Sequence, residues 1–180
     1  MEINFQKKVK RSNQTGFTLV EVLVVISIIG ALAGIMVPTI KGAMEAGKKA
    51  KAKGEENAIV AAVKAYKQEY GRWPGTNWID DKSFEGDDSK SLLAALSGTN
   101  NTFVENPKLV RFLEGADTDG TMKDPWGTQY LILVDTDDSN STTYKSKTIG
   151  ISVFAVSFGK DQKQDATPGS GDDVFSTDLK

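Results

Sequence analysis

The sequence predicts an α+β protein in which one long N-terminal helix packs on a small antiparallel β-sheet. Three observations predict this fold class. Residues 22–40 carry no charge, residues 41–70 are rich in the helix formers Ala and Lys, and two segments within residues 129–158 have strand-like composition. At 180 residues the chain is long enough for one domain and an additional segment.

The composition excludes several kinds of catalytic and metal site. The chain contains no Cys, which excludes disulfides and thiolate ligands, and no His, which excludes imidazole ligands and the usual general base. Catalysis by Ser-His-Asp or Cys-His groups is excluded for the same reason. Chemistry based on Lys or carboxylate side chains remains open.

Charge is distributed unevenly along the chain. The formal net charge is −2, whereas residues 1–16 alone carry four basic side chains and one acidic side chain. This basic leader therefore has a net charge of +3, and the rest of the chain has −5. A mildly acidic protein offers no electrostatic surface for nucleic acid, so no nucleic-acid partner is expected. The leader suits an anionic membrane surface.

Residues 17–40 are expected to form a membrane-spanning helix. The 19 residues from Val22 to Ile40 carry no charge. As a helix they would extend about 28 Å, close to the thickness of a hydrocarbon core. The alternative is a completely buried helix in a soluble protein, but such a helix is rarely apolar on every face.

The junction between the leader and the apolar segment admits three interpretations. A secretory signal peptide has a shorter apolar region, followed by small residues at its cleavage site. An uncleaved signal anchor fits the length but does not explain Gly16, Phe17 or the single acidic residue, Glu21. In the third interpretation, cleavage occurs between Gly16 and Phe17, and the helix stays in the mature protein.

Glu21 needs a partner if it enters the membrane. A charge at the centre of a bilayer costs about 2.5–3.5 kcal/mol, and less near its edge. The alternative is that the side chain merely reaches the interface. Charge counting does not fix the orientation of the helix, since four basic residues precede it and five lysines follow it within residues 41–53.

The helix is expected to continue through residues 41–75. Pro38 removes a backbone donor and predicts a bend or local melting. Apolar residues at spacings of 4, 3 and 4 predict the face that packs on the head: Ile59, Val63, Tyr66 and Tyr70. Side chains off this stripe are expected to stay solvated: Lys53, Glu56, Lys64 and Lys67. Gly71 followed by Pro74 predicts the end of the helix.

Residues 76–180 are expected to form a globular α+β head. The predicted elements are a short helix at 89–96 capped by Asp88 or Ser89, a helical turn near 110–113, a tight turn at 124–127, and strands at 129–134 and 148–158. A polar hairpin loop, residues 135–147, joins the two strands. Its aspartates are expected to be solvated: Asp135, Asp137 and Asp138.

The residues around the junction resemble the type IV prepilin motif. A basic leader, the segment Gly16-Phe17-Thr18-Leu19-Val20-Glu21 and an uninterrupted apolar run occur in the order typical of that family. The resemblance implies that a membrane prepilin peptidase cleaves between Gly16 and Phe17 and that Phe17 is then N-methylated. It implies that Glu21 pairs with the terminal ammonium of a neighbouring subunit and that Pro38 matches a family proline. The leader would then lie in the cytoplasm.

Landmarks further along the chain resemble the major pseudopilin of type II secretion systems. They are YGRWP at residues 70–74, DPWG at residues 124–127 and SFGKD at residues 157–161. The resemblance implies a type IV pilin-like fold and a structural subunit, not an enzyme, that polymerises into a pseudopilus and drives protein export. It implies other pilin or pseudopilin subunits, an inner-membrane secretion platform and membrane lipid as partners. The location would be the bacterial inner membrane, with one span and the head in the periplasm or outside.

Two other functions remain open. A surface type IV pilus subunit, major or minor, has the same N-terminal motif, although this chain lacks the cysteines of the disulfide-bounded loop common in major pilins. A membrane-anchored enzyme or binding domain is the more distant alternative, because an enzyme needs an acid, base or nucleophile grouped in a cleft. The carboxylates of this sequence lie in Gly- and Ser-rich loops without such neighbours.

The C-terminal loop, residues 158–173, predicts a calcium site. Its carboxylates, glycines and carbonyl groups suit a hard cation with six to eight oxygen ligands. By resemblance to the major pseudopilins, the ligands would be the carboxylates of Asp161, Asp172 and Asp173 with backbone oxygens of Phe158 and Ser170. The alternative is a solvated acidic loop without an ion.

Overall fold

The structure, a computed structural model, describes residues 16–75 and 81–177, and of Val37 and Pro38 only the backbone. The predicted leader, apart from Gly16, lies outside the described residues. The chain divides into two compact units, residues 1–43 and 44–180, and each is described by itself. We call the second the head unit.

The described residues form two helices and six strands. The helices are α1 (Leu19–Tyr70) and α2 (Asp87–Leu96), and the strands are β1 (Lys82–Phe84), β2 (Leu131–Val134), β3 (Thr142–Tyr144), β4 (Lys147–Ile149), β5 (Val153–Ser157) and β6 (Val174–Phe175). Four strands form an antiparallel sheet in the order β1-β2-β5-β6, and β3 pairs with β4 in a separate hairpin. A long N-terminal helix and a small antiparallel sheet confirm the predicted fold class.

The first unit contains the apolar part of α1, which is long and apolar enough to cross a membrane. Its large apolar side chains are exposed, from Leu19 at 81% to Ile40 at 55%. Exposed apolar surface costs about 25 cal/mol per Å² in water, so this segment requires lipid or another apolar partner. The helix runs through Pro38 without interruption. The predicted local melting is therefore not found.

In the head unit, α1 buries one face against the sheet and α2. Three residues of the predicted stripe are fully buried: Ile59, Val63 and Tyr66. Tyr70 is half-buried and packs against the same core. Gly71 adopts a φ of +69° and ends the helix, and its N–H donates to the carbonyl of Lys67 at 2.8 Å. The predicted stripe and the predicted end of the helix are both confirmed.

The central strands β2 and β5 are buried on both faces. They pair in register from Leu131 opposite Val156 to Val134 opposite Val153. One face belongs to the core shared with the helices. The other face forms a smaller apolar cluster, in which the rings of Phe154 and Phe175 stack at 5.7 Å with Tyr144 beside them. Both strands fall within the segments predicted as strands, 129–134 and 148–158.

Two predicted details near α2 are wrong. The helix begins at Asp87, before the predicted start, and its N-cap is Gly86 at φ +56° without a side-chain cap. The expected helical turn at 110–113 is absent, because the N–H groups of Phe112 and Leu113 both donate to the carbonyl of Leu96. Bonds to the end of α2 therefore replace the local bonds that a helical turn requires.

The second predicted strand is divided, and the loop before it contains a hairpin. A turn closed by the N–H of Ile151 and the carbonyl of Ile149, at 2.8 Å, separates β4 from β5. The hairpin β3–β4 takes up residues 142–147 of the predicted polar loop. Its two connecting residues, Lys145 and Ser146, have φ values of +47° and +63°, which is typical of a tight two-residue turn.

Glu56 contradicts the expectation of a solvated side chain, because it is fully buried. It lies three residues before Ile59 and therefore on the buried face of α1. Its Oε1 accepts a hydrogen bond from the backbone N–H of Ser157 at 3.0 Å, and its Oε2 has no hydrogen-bond partner among the described residues. Burial raises the pKa of Glu56 to about 8, and the nearby carboxylates of Asp124 and Asp173 add to the shift.

The buried Glu56 predicts that the stability of the head unit falls as pH rises through about 8. The folded protein keeps the Glu56 proton up to about pH 8, whereas an unfolded chain releases it near 4.5. The stabilisation is therefore complete below about pH 4.5 and is lost as pH rises through about 8. Urea unfolding of residues 44–180 between pH 5 and 9 measures this dependence.

The Glu56→Gln variant tests the assignment, because it keeps the shape of the side chain and removes its titration. Its free energy of unfolding should vary less with pH than that of the wild type. Glu114→Gln, which alters an exposed glutamate, is the matched control and should keep the wild-type slope. Equal slopes in Glu56→Gln and the wild type would contradict the assignment.

Candidate functional sites at the helix start and in the C-terminal loop

The first turn of α1 is closed by reciprocal hydrogen bonds between Thr18 and Glu21. The backbone N–H and the hydroxyl of Thr18 each donate to Glu21 Oε2 at 2.8 Å, and the Glu21 N–H donates to Thr18 Oγ1 at 3.2 Å. This is a capping box, in which an N-cap Thr and a Glu three residues later satisfy each other's backbone donors. The sequence analysis missed it, although the Thr-x-x-Glu spacing carries the signal.

The capping box gives the Glu21 carboxylate a partner within its own chain. Because the oxygens of a carboxylate offer about four acceptor positions, the Thr18 bonds leave room for a further donor. Residues 16–18 precede the helix, and both Gly16 and Phe17 are exposed, Phe17 by 85%. The predicted cleavage junction thus lies on accessible, non-helical backbone, and Glu21 lies one helical turn beyond it.

The C-terminal loop is closed by Asp172. Its Oδ2 accepts hydrogen bonds from the backbone N–H groups of Lys160 at 2.6 Å and Asp161 at 3.0 Å. Gly159 has a φ of +63°, and a Cβ at this position would lie 2.3 Å from the carbonyl oxygen of Asp172. Only glycine fits there, because a side chain would displace the returning backbone. Asp172 therefore holds the two ends of the loop together.

Asp165 and Asp173 form a second carboxylate contact inside the loop. The N–H of Asp165 donates to Asp173 Oδ2 at 3.1 Å, and the N–H of Asp173 donates to Asp165 Oδ2 at 3.2 Å. The hydroxyl of Tyr144 also donates to Asp173 Oδ2, at 3.3 Å. The other oxygen, Oδ1, is buried and has no hydrogen-bond partner among the described residues. Burial raises the pKa of Asp173.

The loop offers oxygen ligands for a hard cation, but in a different grouping from the predicted one. The buried Asp173 oxygen beside a second carboxylate suits such an ion. Asp161 instead accepts a bond from the N–H of Lys163 at 2.8 Å, and Asp172 faces backbone donors. In the described part of the chain, the predicted trio does not bring three carboxylate oxygens within 4.8 Å of one another. The sequence analysis did not single out Asp165.

A third acidic group, Asp81, Asp135 and Asp137, does bring three carboxylate oxygens within 4.8 Å of one another. Asp135 is only 1% exposed, so the expectation that it is solvated is wrong. Its carboxylate accepts from the N–H groups of Ser139 at 3.0 Å and Asn140 at 2.7 Å, which fold the loop over it. Burial, followed by the neighbouring Asp137, raises the pKa of Asp135.

Asp138 attaches this loop to the end of α1. Its carboxylate accepts hydrogen bonds from Trp73 Nε1 at 2.9 Å and from Lys67 Nζ. The Lys67 ammonium also lies 3.9 Å from the centroid of the Trp73 ring, a cation–π contact. The acidic group and the last turns of α1 therefore occupy the same end of the head unit.

Comparison with known proteins decides the family. The family model described as the prokaryotic N-terminal methylation motif matches residues 11–37. The type II secretion system core protein G of Escherichia coli (strain K12) is 33% identical over 124 residues, covering 67% of this chain and 72% of the relative. The chain belongs to the type II secretion system core protein G family. The Vibrio cholerae serotype O1 member is 33% identical, covering 69% and 73%, and the Klebsiella pneumoniae member is 31% identical, covering 67% and 74%.

Membership of the core protein G family confirms the predicted pseudopilin, a structural subunit. The methylation motif covers the leader end, the junction and most of the apolar helix. The relatives are structural components of secretion systems, which disfavours the membrane-anchored enzyme. The pilin-like combination of a long N-terminal helix and a small antiparallel sheet agrees with the family. No solved structure matches the chain significantly.

Proposed function

We propose that the chain is a precursor that is cleaved between Gly16 and Phe17, N-methylated at Phe17, and polymerised through residues 17–40 into a pseudopilus that drives protein export. The observation that carries this proposal is the methylation motif, which spans the junction at residues 11–37. Exposed, non-helical backbone at residues 16–18 supports it, since a peptidase requires access to the scissile bond.

In this function the apolar half of α1 acts in two environments. It crosses the inner membrane first, with the leader in the cytoplasm and the head on the periplasmic side, and then packs among other subunits. Its exposed apolar side chains support both roles, since lipid and neighbouring helices can each cover them. The partners are the prepilin peptidase, other pilin or pseudopilin subunits, the inner-membrane secretion platform and membrane lipid.

Mass spectrometry of the mature N-terminus tests the processing step. Chain isolated from cells with an active prepilin peptidase should begin at N-methylated Phe17. Cells without the peptidase should retain Met1 and the leader. A mature chain that begins after residue 40, or that keeps Met1 in the presence of the peptidase, would refute the proposal.

Glu21→Ala should be cleaved and inserted normally but should assemble poorly. In the proposed filament, Glu21 pairs with the Phe17 ammonium of a neighbouring subunit, and the substitution leaves that charge without its partner in an apolar environment. Assembly is measured by cross-linking of subunits in cells. The control is Ser27→Ala, because Ser27 Oγ donates within its own helix, to Leu23 O at 2.7 Å. Wild-type assembly of Glu21→Ala would exclude the pairing.

The C-terminal loop is proposed to bind Ca²⁺. The predicted ligands are Asp161, Asp172 and Asp173 with backbone oxygens of Phe158 and Ser170, and the structure adds Asp165 as a neighbour of Asp173. The buried, unbonded oxygen of Asp173 supports the proposal. An ion there would neutralise the two adjacent carboxylates and stiffen a segment that has little regular structure.

Calcium should therefore raise the thermal stability of the head unit. A free concentration of 100 times Kd stabilises a folded protein by about 2.7 kcal/mol. Asp173→Asn, which keeps the side-chain shape, and Asp172→Ala should abolish the shift in Tm. Asp137→Asn, in the separate acidic group, is the matched control and should keep it. The proposal is wrong if excess Ca²⁺ leaves the wild-type Tm unchanged.

A further inference from the structure

Four lysines lie close together on the part of α1 that begins the head unit. We call them the lysine collar: Lys48, Lys49, Lys51 and Lys53. Three of them are exposed, and Lys48 is half-buried. Lys51 Nζ lies 3.7 Å from Glu55 Oε1, and Lys49 and Lys53 line a cavity with Asp173. Lys53 interacts electrostatically with the buried Glu56. The collar thus presents a concentrated positive charge.

The collar belongs to the surface of the head unit. The same turns of α1 pack on the head through other residues. Ala52 is fully buried, Glu56 binds the N–H of Ser157, and Glu45 Oε1 accepts a hydrogen bond from Trp126 Nε1 at 2.9 Å. The lysines therefore project from a helical segment that the head holds in place.

Small residues separate the collar lysines on the exposed side of α1. Gly47, Ala50 and Gly54 are all exposed. A Cβ added at Gly47 or at Gly54 would meet no atom of the described chain within 4 Å. A partner can therefore approach the helix backbone between the lysines, and this chain does not itself cover that surface.

The rest of the head unit carries the opposite charge. Residues 54–180 contain 21 acidic and 13 basic side chains, whereas residues 41–53 contain one acidic and five basic side chains. The acidic group of Asp81, Asp135 and Asp137 lies by the last turns of α1, because Asp138 binds Lys67 and Trp73 there. Lys49 and Lys67 are separated by 18 residues of helix, about 27 Å.

We propose that the lysine collar is a docking surface for the acidic end of the head unit of a second copy of this chain. The proposal rests on the proposed polymerisation and names one of its contacts. The basic collar and the acidic group, which lie near opposite ends of the α1 segment in the head unit, are complementary between successive copies. A contact between different ends is heterologous, so it repeats along an open filament. Complementary charge of this kind fixes the register of subunits and speeds their encounter.

The observations favour a second copy over an anionic lipid surface. The collar shares its helical turns with the packed face of the head, and the matching negative charge is present on the same chain. A lipid surface would account for the positive charge of the collar but not for the acidic group at the other end. Lipid binding is therefore treated as an outcome of the test.

The test uses the full chain in cells that assemble it. Lys49→Glu combined with Lys51→Glu reverses two of the three exposed charges of the collar, and we call this variant the reversed collar. This variant should be cleaved and N-methylated normally at Phe17 but should form at least about fivefold fewer cross-linked subunits, since charge pairs at interfaces contribute at this scale. Lys64→Glu is the matched control, because it reverses an exposed lysine of the same helix outside the collar, and it should assemble normally.

Exchanging the charges of the collar and the acidic group tests whether the partner of the collar is a second copy of this chain. Asp137→Lys added to the reversed collar should restore at least half of the lost cross-links, because Asp137 is an exposed member of the acidic group beside α1. Wild-type assembly of the reversed collar, or an equal loss in Lys64→Glu, would overturn the proposal. A loss that Asp137→Lys does not restore would also overturn it.

Lipid binding has its own readout. The full chain is reconstituted at low density in vesicles of phosphatidylethanolamine, with or without phosphatidylglycerol, and its lysines are labelled with a water-soluble amine reagent. Equal labelling of the collar in both vesicles is expected. Protection of the collar by phosphatidylglycerol would assign it to lipid and overturn the proposal. If the wild type forms no filament, the proposed polymerisation fails, which is distinct from normal assembly of the reversed collar.

Discussion

The structure depends on one helix whose apolar pattern changes along its length. Between Leu19 and Ile40, the large apolar side chains that the structure describes are exposed, a pattern that only lipid or other subunits can cover. From Ala52 onward, one face is buried at helical spacing, and the sheet and α2 pack on that face. A backbone that satisfies its own hydrogen bonds suits both environments. The same element can therefore anchor a subunit and form the central helix of its head.

Polar groups in the core connect α1 to the C-terminal loop. The buried Glu56 accepts the N–H of Ser157, and Ser157 Oγ donates to Asp124 Oδ2 at 2.5 Å. Asp124 closes the tight turn before β2 by accepting bonds from the N–H groups of Trp126 and Thr128. Because Ser157 ends β5, where the C-terminal loop begins, these bonds join the helix, the turn and the loop. A change in the charge of Glu56 would therefore alter the hydrogen bonds of Ser157, where the C-terminal loop begins.

The carboxylates of the head unit are concentrated in two places with different consequences. Asp165 and Asp173 face each other within the C-terminal loop, where a cation would relieve their repulsion. Asp81, Asp135 and Asp137 gather beside the last turns of α1, where backbone N–H groups hold the buried Asp135. The repulsion between Asp165 and Asp173 affects the stability of a single subunit. The second group, with the lysine collar, gives the head unit opposite charges at its ends, which matters when subunits meet.

The sequence by itself determined the features that depend on neighbours in the chain. The apolar segment, the junction at Gly16, the stripe of Ile59 and its successors, and the helix end at Gly71 all follow from local composition and spacing. Only the tertiary structure decided which acidic side chains are buried. Glu56 is bound by Ser157, 101 residues away, and Asp135 is enclosed by its own folded loop. It also decided the division between β4 and β5. The burial of these side chains and the pairing of the strands depend on atoms that are distant in sequence. Hydrophobic periodicity alone therefore does not predict them.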